Sequence, residues 1–111
     1  MVIKSPKRGE IWWVVFSQSQ GTKIQKKRPS VIVSNDVSNS VLDRYQVIPL
    51  TSNADKVYPS ETKISFKNKK GKAMVDQIMT VHRSQLDKKG GRIKSEEMST
   101  LERVIKMQLG L

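Results

Sequence analysis

Isoleucine and valine together fill 21 of the 111 positions, whereas leucine fills only six. β-Branched side chains are stiff at χ1, which a helix tolerates poorly and a pleated sheet accommodates well, so this balance favours a core built mostly of strands. Counting phenylalanine as well, 29 positions carry large apolar groups, above the level of about 20% below which a highly charged chain stays disordered. At this length, one domain spanning residues 1–111 with one core is expected.

The apolar runs are short and separated by turn residues. Ile11–Phe16 predicts a first strand, Pro29–Asn35 a second with Val31 and Val33 on one face and Ile32 on the other, and Tyr45–Leu50 a third. Pro49 inside the third suggests an edge or a bulge. Ile64 with Phe66, and Ala73–Val75, read as fourth and fifth strands around an exposed basic loop from Lys67 to Lys72, with Gly71 as its turn residue. A short segment from Val81 to Leu86 leads to a turn at Lys88-Lys89-Gly90-Gly91 and a brief last strand at Ile93. Ser95 then reads as an N-cap followed by two acids, and Met98, Leu101, Val104, Ile105 and Leu109 recur at helical spacing before Gly110 stops the helix. The pattern predicts an α+β domain, a small barrel of five or more strands with one amphipathic C-terminal helix. Adjacent Trp12 and Trp13 must point to opposite faces of the first strand, so only one fills the core and the other is left for an interface or a base.

A formal net charge of +11 makes polyanions the obvious partners. Residues 1–55 carry eight basic and four acidic groups and residues 56–111 thirteen and six, so the excess belongs to the folded surface and not to a tail. Nucleic acids, membrane surfaces and acidic proteins all fit this property. The lack of cysteine removes disulfides, thiolate zinc sites and a cysteine nucleophile. The longest unbroken apolar run, Ile11–Phe16, is far too short to span a membrane, and the first ten residues have no apolar signal region, so a cytoplasmic protein without membrane attachment is expected.

Candidate chemistry is narrow. His82 is the one histidine, so a two-histidine acid/base pair within one chain is excluded and a structural role is the simpler reading. No clustered carboxylates suggest a metal site, and neither a phosphate-cradling glycine loop nor a nucleophile elbow is present. No cofactor is expected. Cleavage of RNA by its own 2′-hydroxyl stays open, because the nucleophile sits in the substrate and the protein has to orient the sugar and stabilise phosphorane charge. Arginine suits the second of these roles, because its planar fork binds two phosphate oxygens and stays charged.

Five motifs then occur in a telling order: Lys7-Arg8-Gly9-Glu10-Ile11-Trp12, Arg28-Pro29-Ser30-Val31-Ile32-Val33-Ser34-Asn35-Asp36, Ile48-Pro49-Leu50-Thr51-Ser52, Val75-Asp76-Gln77-Ile78-Met79-Thr80, and the ending Ile105-Lys106-Met107-Gln108-Leu109-Gly110-Leu111. Together they resemble the MazF/PemK/Kid family of toxin endoribonucleases from about Lys7 to the C-terminus. The resemblance implies an SH3-like small β-barrel of the CcdB/PemK kind with a C-terminal helix, and a homodimer. It also implies metal-independent cleavage of single-stranded RNA at short sequences, leaving a 2′,3′-cyclic phosphate and a 5′-hydroxyl, and a cognate antitoxin with an acidic, largely disordered tail. The net charge suits both the RNA and the antitoxin.

By resemblance, Arg28 corresponds to the family's essential arginine, which stabilises the phosphorane, and Thr51 to its catalytic threonine, with Ser52 as an assistant. Asp76 corresponds to an acid that one branch uses as a base, and Gln77 to an amide that contacts RNA. That branch has an arginine two residues before the acid, where this chain has Met74. The loop before Arg28 departs further: the family's acidic, amide-rich and glycine-rich loop here reads Gly21-Thr22-Lys23-Ile24-Gln25-Lys26-Lys27. Lys23, Lys26 and Lys27 are expected to strengthen binding to the RNA backbone and to alter sequence preference. Two other readings belong to different classes: an inactive nucleic-acid-binding barrel, and a protein-directed inhibitor of gyrase similar to CcdB.

Overall fold

The computed structural model describes residues 5–16 and 26–111. In chain order the elements are β1 (Glu10–Phe16), β2 (Lys26–Ile32), α1 (Asp36–Val41), β3 (Arg44–Thr51), β4 (Glu61–Phe66), β5 (Lys69–Met74), β6 (Met79–His82), β7 (Leu86–Arg92) and α2 (Ser95–Leu109). Short 3₁₀ turns at Val75–Gln77 and Arg83–Gln85 flank β6. All strand pairs are antiparallel and run in the order β4-β5-β3-β2-β1-β7, with β6 added to β3. The result is a curled sheet, a half-barrel closed by α2, which is the expected fold.

The sheet is buried on both faces, so there are two apolar clusters and not the single core expected. Val31, Val33, Ile48 and Leu50 join Ile11, Ile64 and Val75 on one face, where Leu101 of α2 inserts with Met98, Val104 and Ile105 beside it. Ile32, Tyr45, Val47, Val14 and Val81 form the other, covered by Trp12, Phe16 and Leu86. Neighbouring residues at the end of β2 and in the second half of β3 thus feed opposite clusters, which is why Val31–Val33 and Val47–Leu50 are unbroken apolar runs.

Several local expectations are corrected. The basic stretch is mostly strand: Lys67 and Asn68 alone make the turn, both at positive φ (53° and 62°), the conformation of a two-residue hairpin loop, while Gly71 lies inside β5. Lys88–Gly91 is the body of β7, and Ile93 falls just beyond it. Lys94, not Ser95, caps α2, with Glu97 accepting the Lys94 N–H at 3.2 Å. Gly110 ends the helix in the left-handed conformation as predicted, but Leu109 is half exposed. Helix α1 lies where the sequence pattern shows only the end of a strand; Asn35 is its N-cap and accepts the Ser38 N–H at 2.8 Å.

The start of β1 is a tightly paired corner. Glu10 is buried, and its Oε1 accepts the Lys7 N–H at 2.8 Å and the Trp12 Nε1–H at 3.0 Å while Oε2 lies 2.9 Å from Lys89 Nζ. Burial alone would raise this carboxyl's pKa, but the hydrogen bonds from Lys7, Lys89 and Trp12 outweigh it and hold the group below the ordinary carboxylate value. Arg8 Nη2 pairs with Glu102 Oε2 at 2.7 Å, its Nη1 donates to the Val33 carbonyl, and its N–H donates to Asp36 Oδ1 at 2.8 Å. The corner ties β1 to α1 and α2.

Candidate active cleft

Strand β3 changes partners along one edge. It pairs with β6 through Val47 and with β5 from Leu50 onward. Pro49 sits in the gap between these two neighbours, while its other side faces Ser30 of β2. A residue without an N–H is tolerated where one side of a strand has no partner. Beyond the gap, β5 approaches β3 closely: a Cβ on Gly71 would stand 2.6 Å from the Thr51 carbonyl oxygen, so only glycine lets the two strands meet there. Thr51 ends β3 at this junction, paired with Lys72.

A cleft of about 380 Å³ opens beside Thr51. Trp13, Pro29, Leu50, Ile64 and Phe66 make its apolar wall, Arg28, Thr51 and Ser52 its polar side, and Lys67, Lys69 and Lys70 its cationic rim. Trp13 meets Phe66 edge to face, with ring centroids 5.9 Å apart. Lys67 Nζ lies over both rings, 5.7 Å from the Trp13 centroid and 5.5 Å from that of Phe66, within cation–π range. Underneath, Gly90 leaves the room these rings need, since a Cβ there would come within 2.9 Å of Phe66 and 3.2 Å of Trp13 Nε1. The buried Trp13 Nε1 has no hydrogen-bond partner among the described residues.

The segment after Thr51 is anchored from below. Lys72, largely buried, donates from Nζ to the Lys56 carbonyl at 2.7 Å and to Glu61 Oε1 at 2.8 Å, and Tyr58 N–H donates to the same Glu61 oxygen at 3.0 Å. Burial raises the Glu61 pKa, but the Lys72 ammonium and the Tyr58 N–H outweigh that effect and leave the carboxyl below its ordinary value. Thr51 Oγ1 accepts the Asn53 N–H at 3.3 Å, which turns the chain away from the sheet.

Of the residues singled out from sequence, Arg28, Thr51 and Ser52 converge on this cleft. Lys26 and Lys27 lie exposed at the start of β2, and Lys27 is tied to Asp87 at 3.1 Å instead of standing free. Lys23 lies outside the described residues. Asp76 and Gln77 do not line the cleft; they sit exposed on the 3₁₀ turn past β5, where Gln77 Nε2 donates to Met74 Sδ at 3.4 Å. His82 caps the turn at Arg83–Gln85, accepting the Ser84 N–H at 3.1 Å. Sequence reasoning missed the Trp13, Phe66 and Lys67 cluster as a unit. The adjacent tryptophans were the available signal; the two-residue turn that carries Lys67 over the rings was hidden in a run read as loop.

This arrangement sets guanidinium and hydroxyl donors beside an apolar floor, with lysines above. Such a cleft can hold a phosphodiester at Arg28 and Thr51 and a base against the aromatic pair. Residues 7–109 match the model of the PemK-like, MazF-like toxin of type II toxin–antitoxin systems. The chain is 33% identical over 114 aligned residues to the endoribonuclease MazF9 of Mycobacterium tuberculosis, covering 95% of this chain and 97% of that protein. It is 27% identical to the endoribonuclease toxin MazF of Escherichia coli K12, covering 95% of both. Among solved structures, a MazE–MazF crystal structure from Deinococcus radiodurans superposes with a TM-score of 0.84 at 21% identity, covering 98% of this chain and 99% of that one. A mycobacterial endoribonuclease in complex with its cognate antitoxin gives 0.80 at 21%, covering 96% and 97%. With its half-barrel, its C-terminal helix and these matches across nearly its whole length, the chain belongs to the PemK-like, MazF-like toxin family of type II toxin–antitoxin systems.

Proposed function

We propose that this protein is the endoribonuclease toxin of a toxin–antitoxin pair and cleaves single-stranded RNA without a metal ion. The observation that carries this reading is the meeting of Arg28 and Thr51 at the mouth of an aromatic-walled, lysine-rimmed cleft. The RNA 2′-oxygen attacks its adjacent phosphorus while the bond to the 5′-oxygen breaks. The 2′-hydroxyl passes its proton to solvent water, the leaving 5′-oxygen takes one from solvent, and the products are a 2′,3′-cyclic phosphate and a 5′-hydroxyl. Arg28 stabilises the charge on the phosphorane oxygens, and the Thr51 hydroxyl, assisted by Ser52, orients the phosphate and sugar. Asp76, the candidate base by resemblance, stands on the turn past β5 outside the cleft lining, and Gln77 beside it contacts the strand beyond the reacting phosphate. Lys23, Lys26 and Lys27 hold the RNA backbone, so neutralising all three weakens RNA binding.

The same reading includes an acidic antitoxin that covers the cationic cleft, since relatives of this fold are solved in complex with antitoxins. It also includes a homodimer, for which Val37 and Val41 on α1 and Met107, Leu109 and Leu111 at the end of α2 offer exposed apolar surface. The test is digestion of a long single-stranded RNA in EDTA, wild type beside Arg28→Ala, with the new ends analysed. Discrete fragments with cyclic phosphate from the wild type alone support the proposal. Tight RNA binding without products from the wild type replaces it with a binding module, and arrest of DNA supercoiling with cellular RNA intact replaces it with a gyrase inhibitor.

A further inference from the structure

Strands β4 and β7 are the two ends of the sheet's pairing path, and they meet where Phe66 lies against Gly90 and Gly91. At this seam a second hollow is lined by Ser65, Lys67, Asn68, Lys69 and Lys70 of the β4–β5 hairpin and by Arg92 and Lys94 at the end of β7 and the start of α2. Five of these seven side chains are cationic. Three carboxylates stand near its cations, and all are engaged: Asp36, which shares a neighbouring hollow with Arg92, accepts the Arg8 N–H at 2.8 Å. Glu97 accepts the Ser65 N–H at 2.8 Å and the Lys94 N–H at 3.2 Å, and Glu10 lies 4.0 Å from Arg92 but 2.9 Å from Lys89. Among the described residues, Lys67, Lys69, Lys70 and Lys94 are in no ion pair.

The seam and the cleft share a wall. Lys67, Lys69 and Lys70 rim both, so a strand leaving the cleft across the hairpin tip meets cations continuously. Every side chain that lines the seam is polar or cationic, and a docked peptide draws its binding energy mainly from apolar and aromatic anchors. A row of phosphates needs only the cations.

We propose that this seam is a second phosphate-binding subsite, gripping the RNA strand past the nucleotides held at the reacting bond. The proposal deepens the ribonuclease reading and rests on it for the identity of the strand. Neither Arg92 nor Lys94 lines the cleft, although Arg92 also borders the hollow beside Arg8 and Asp36, so the double variant Arg92→Gln/Lys94→Gln removes seam charge and leaves the cleft lining intact. Arg103→Gln/Lys106→Gln, on the exposed side of α2, removes the same charge elsewhere. Binding is measured against salt with 2′-O-methyl RNA, which cannot be cleaved, in lengths of about four and about twelve nucleotides. The seam variant is expected to lose about fivefold in affinity for the long probe and about 0.7 in log–log salt slope per lost phosphate contact, with the short probe and the control variant unchanged. Equal loss on both probes, or equal loss in the control, overturns the subsite. Loss of binding to a polyglutamate peptide with long-RNA binding intact overturns it in favour of an acidic protein partner. Because the probe is not cleaved, a wild type that fails to cut RNA sinks the ribonuclease reading without touching this outcome.

Discussion

The corner around Glu10 and the tip of the β4–β5 hairpin are both crowded with charge, yet they use it oppositely. At the corner, Arg8, Glu10, Asp36, Lys89 and Glu102 satisfy one another and fasten β1 to both helices. At the hairpin, Lys67, Lys69 and Lys70 face open hollows. One strand, β5, carries both behaviours: Lys69 and Lys70 are exposed, whereas Lys72 is buried against Glu61. The net charge is therefore an average over cations that hold the fold together and cations left for a ligand, and only the second group bears on the partner.

The largest effect that tests this division is at the cleft. Arg28→Ala is expected to reduce RNA cleavage by about 10²–10³-fold with an unchanged thermal melt; a comparable fall in stability would move Arg28 to the fastening group. Lys72→Met leaves the Glu61 carboxyl without its ammonium and is expected to lower unfolding free energy by roughly 3 kcal/mol in urea titration. Lys70→Gln on the same strand is expected to stay within about 0.5 kcal/mol while weakening RNA binding. If the two lysines behaved alike, the contrast would fail.

Glu10→Gln is next, at about 1–3 kcal/mol, because the neutral amide serves the Lys7 and Trp12 donors less well and gives Lys89 no counter-charge. Its cleavage rate per folded molecule should match wild type. The smallest effect is in pH. Glu10 and Glu61 both titrate below the ordinary value of 4.5, so the stability they contribute is complete above that pH and is lost as pH falls through their lower folded values. Urea midpoints measured from about pH 6 to about pH 3 should decline, and decline less in Lys72→Met, where Glu61 has lost the partner that lowers it.

Much of the scaffold was legible because local and global preferences agree. Ile11–Phe16 and Tyr45–Leu50 are apolar on both faces because both faces are buried, and α2 has its periodic stripe and its Gly110 stop. What stayed hidden depends on contacts from distant segments. Gly71 looks like a turn residue, but it is a strand residue whose missing side chain admits the Thr51 carbonyl. Gly90 looks the same and instead makes room for Phe66 and Trp13, while the lysines of β7 suit an exposed edge strand that should not recruit another. Lys72 differs from its neighbours only in facing Glu61, which periodicity cannot reveal. For the site, the resemblance brought forward Arg28, Thr51 and Ser52, which share the cleft, and also Asp76 and Gln77, which lie apart from it.

The partner change along β3 bears on when the proposed site takes shape during synthesis. Arg28 and Thr51 emerge early, but the wall opposite them is β5, and the floor under Trp13 and Phe66 is Gly90 of β7. These are non-local pairings, which form late because the intervening chain must first be brought back. A nascent chain that stops at Thr51 has this arginine and this hydroxyl but no cleft beside them, so the proposed site is completed only when β5 and β7 have joined the sheet.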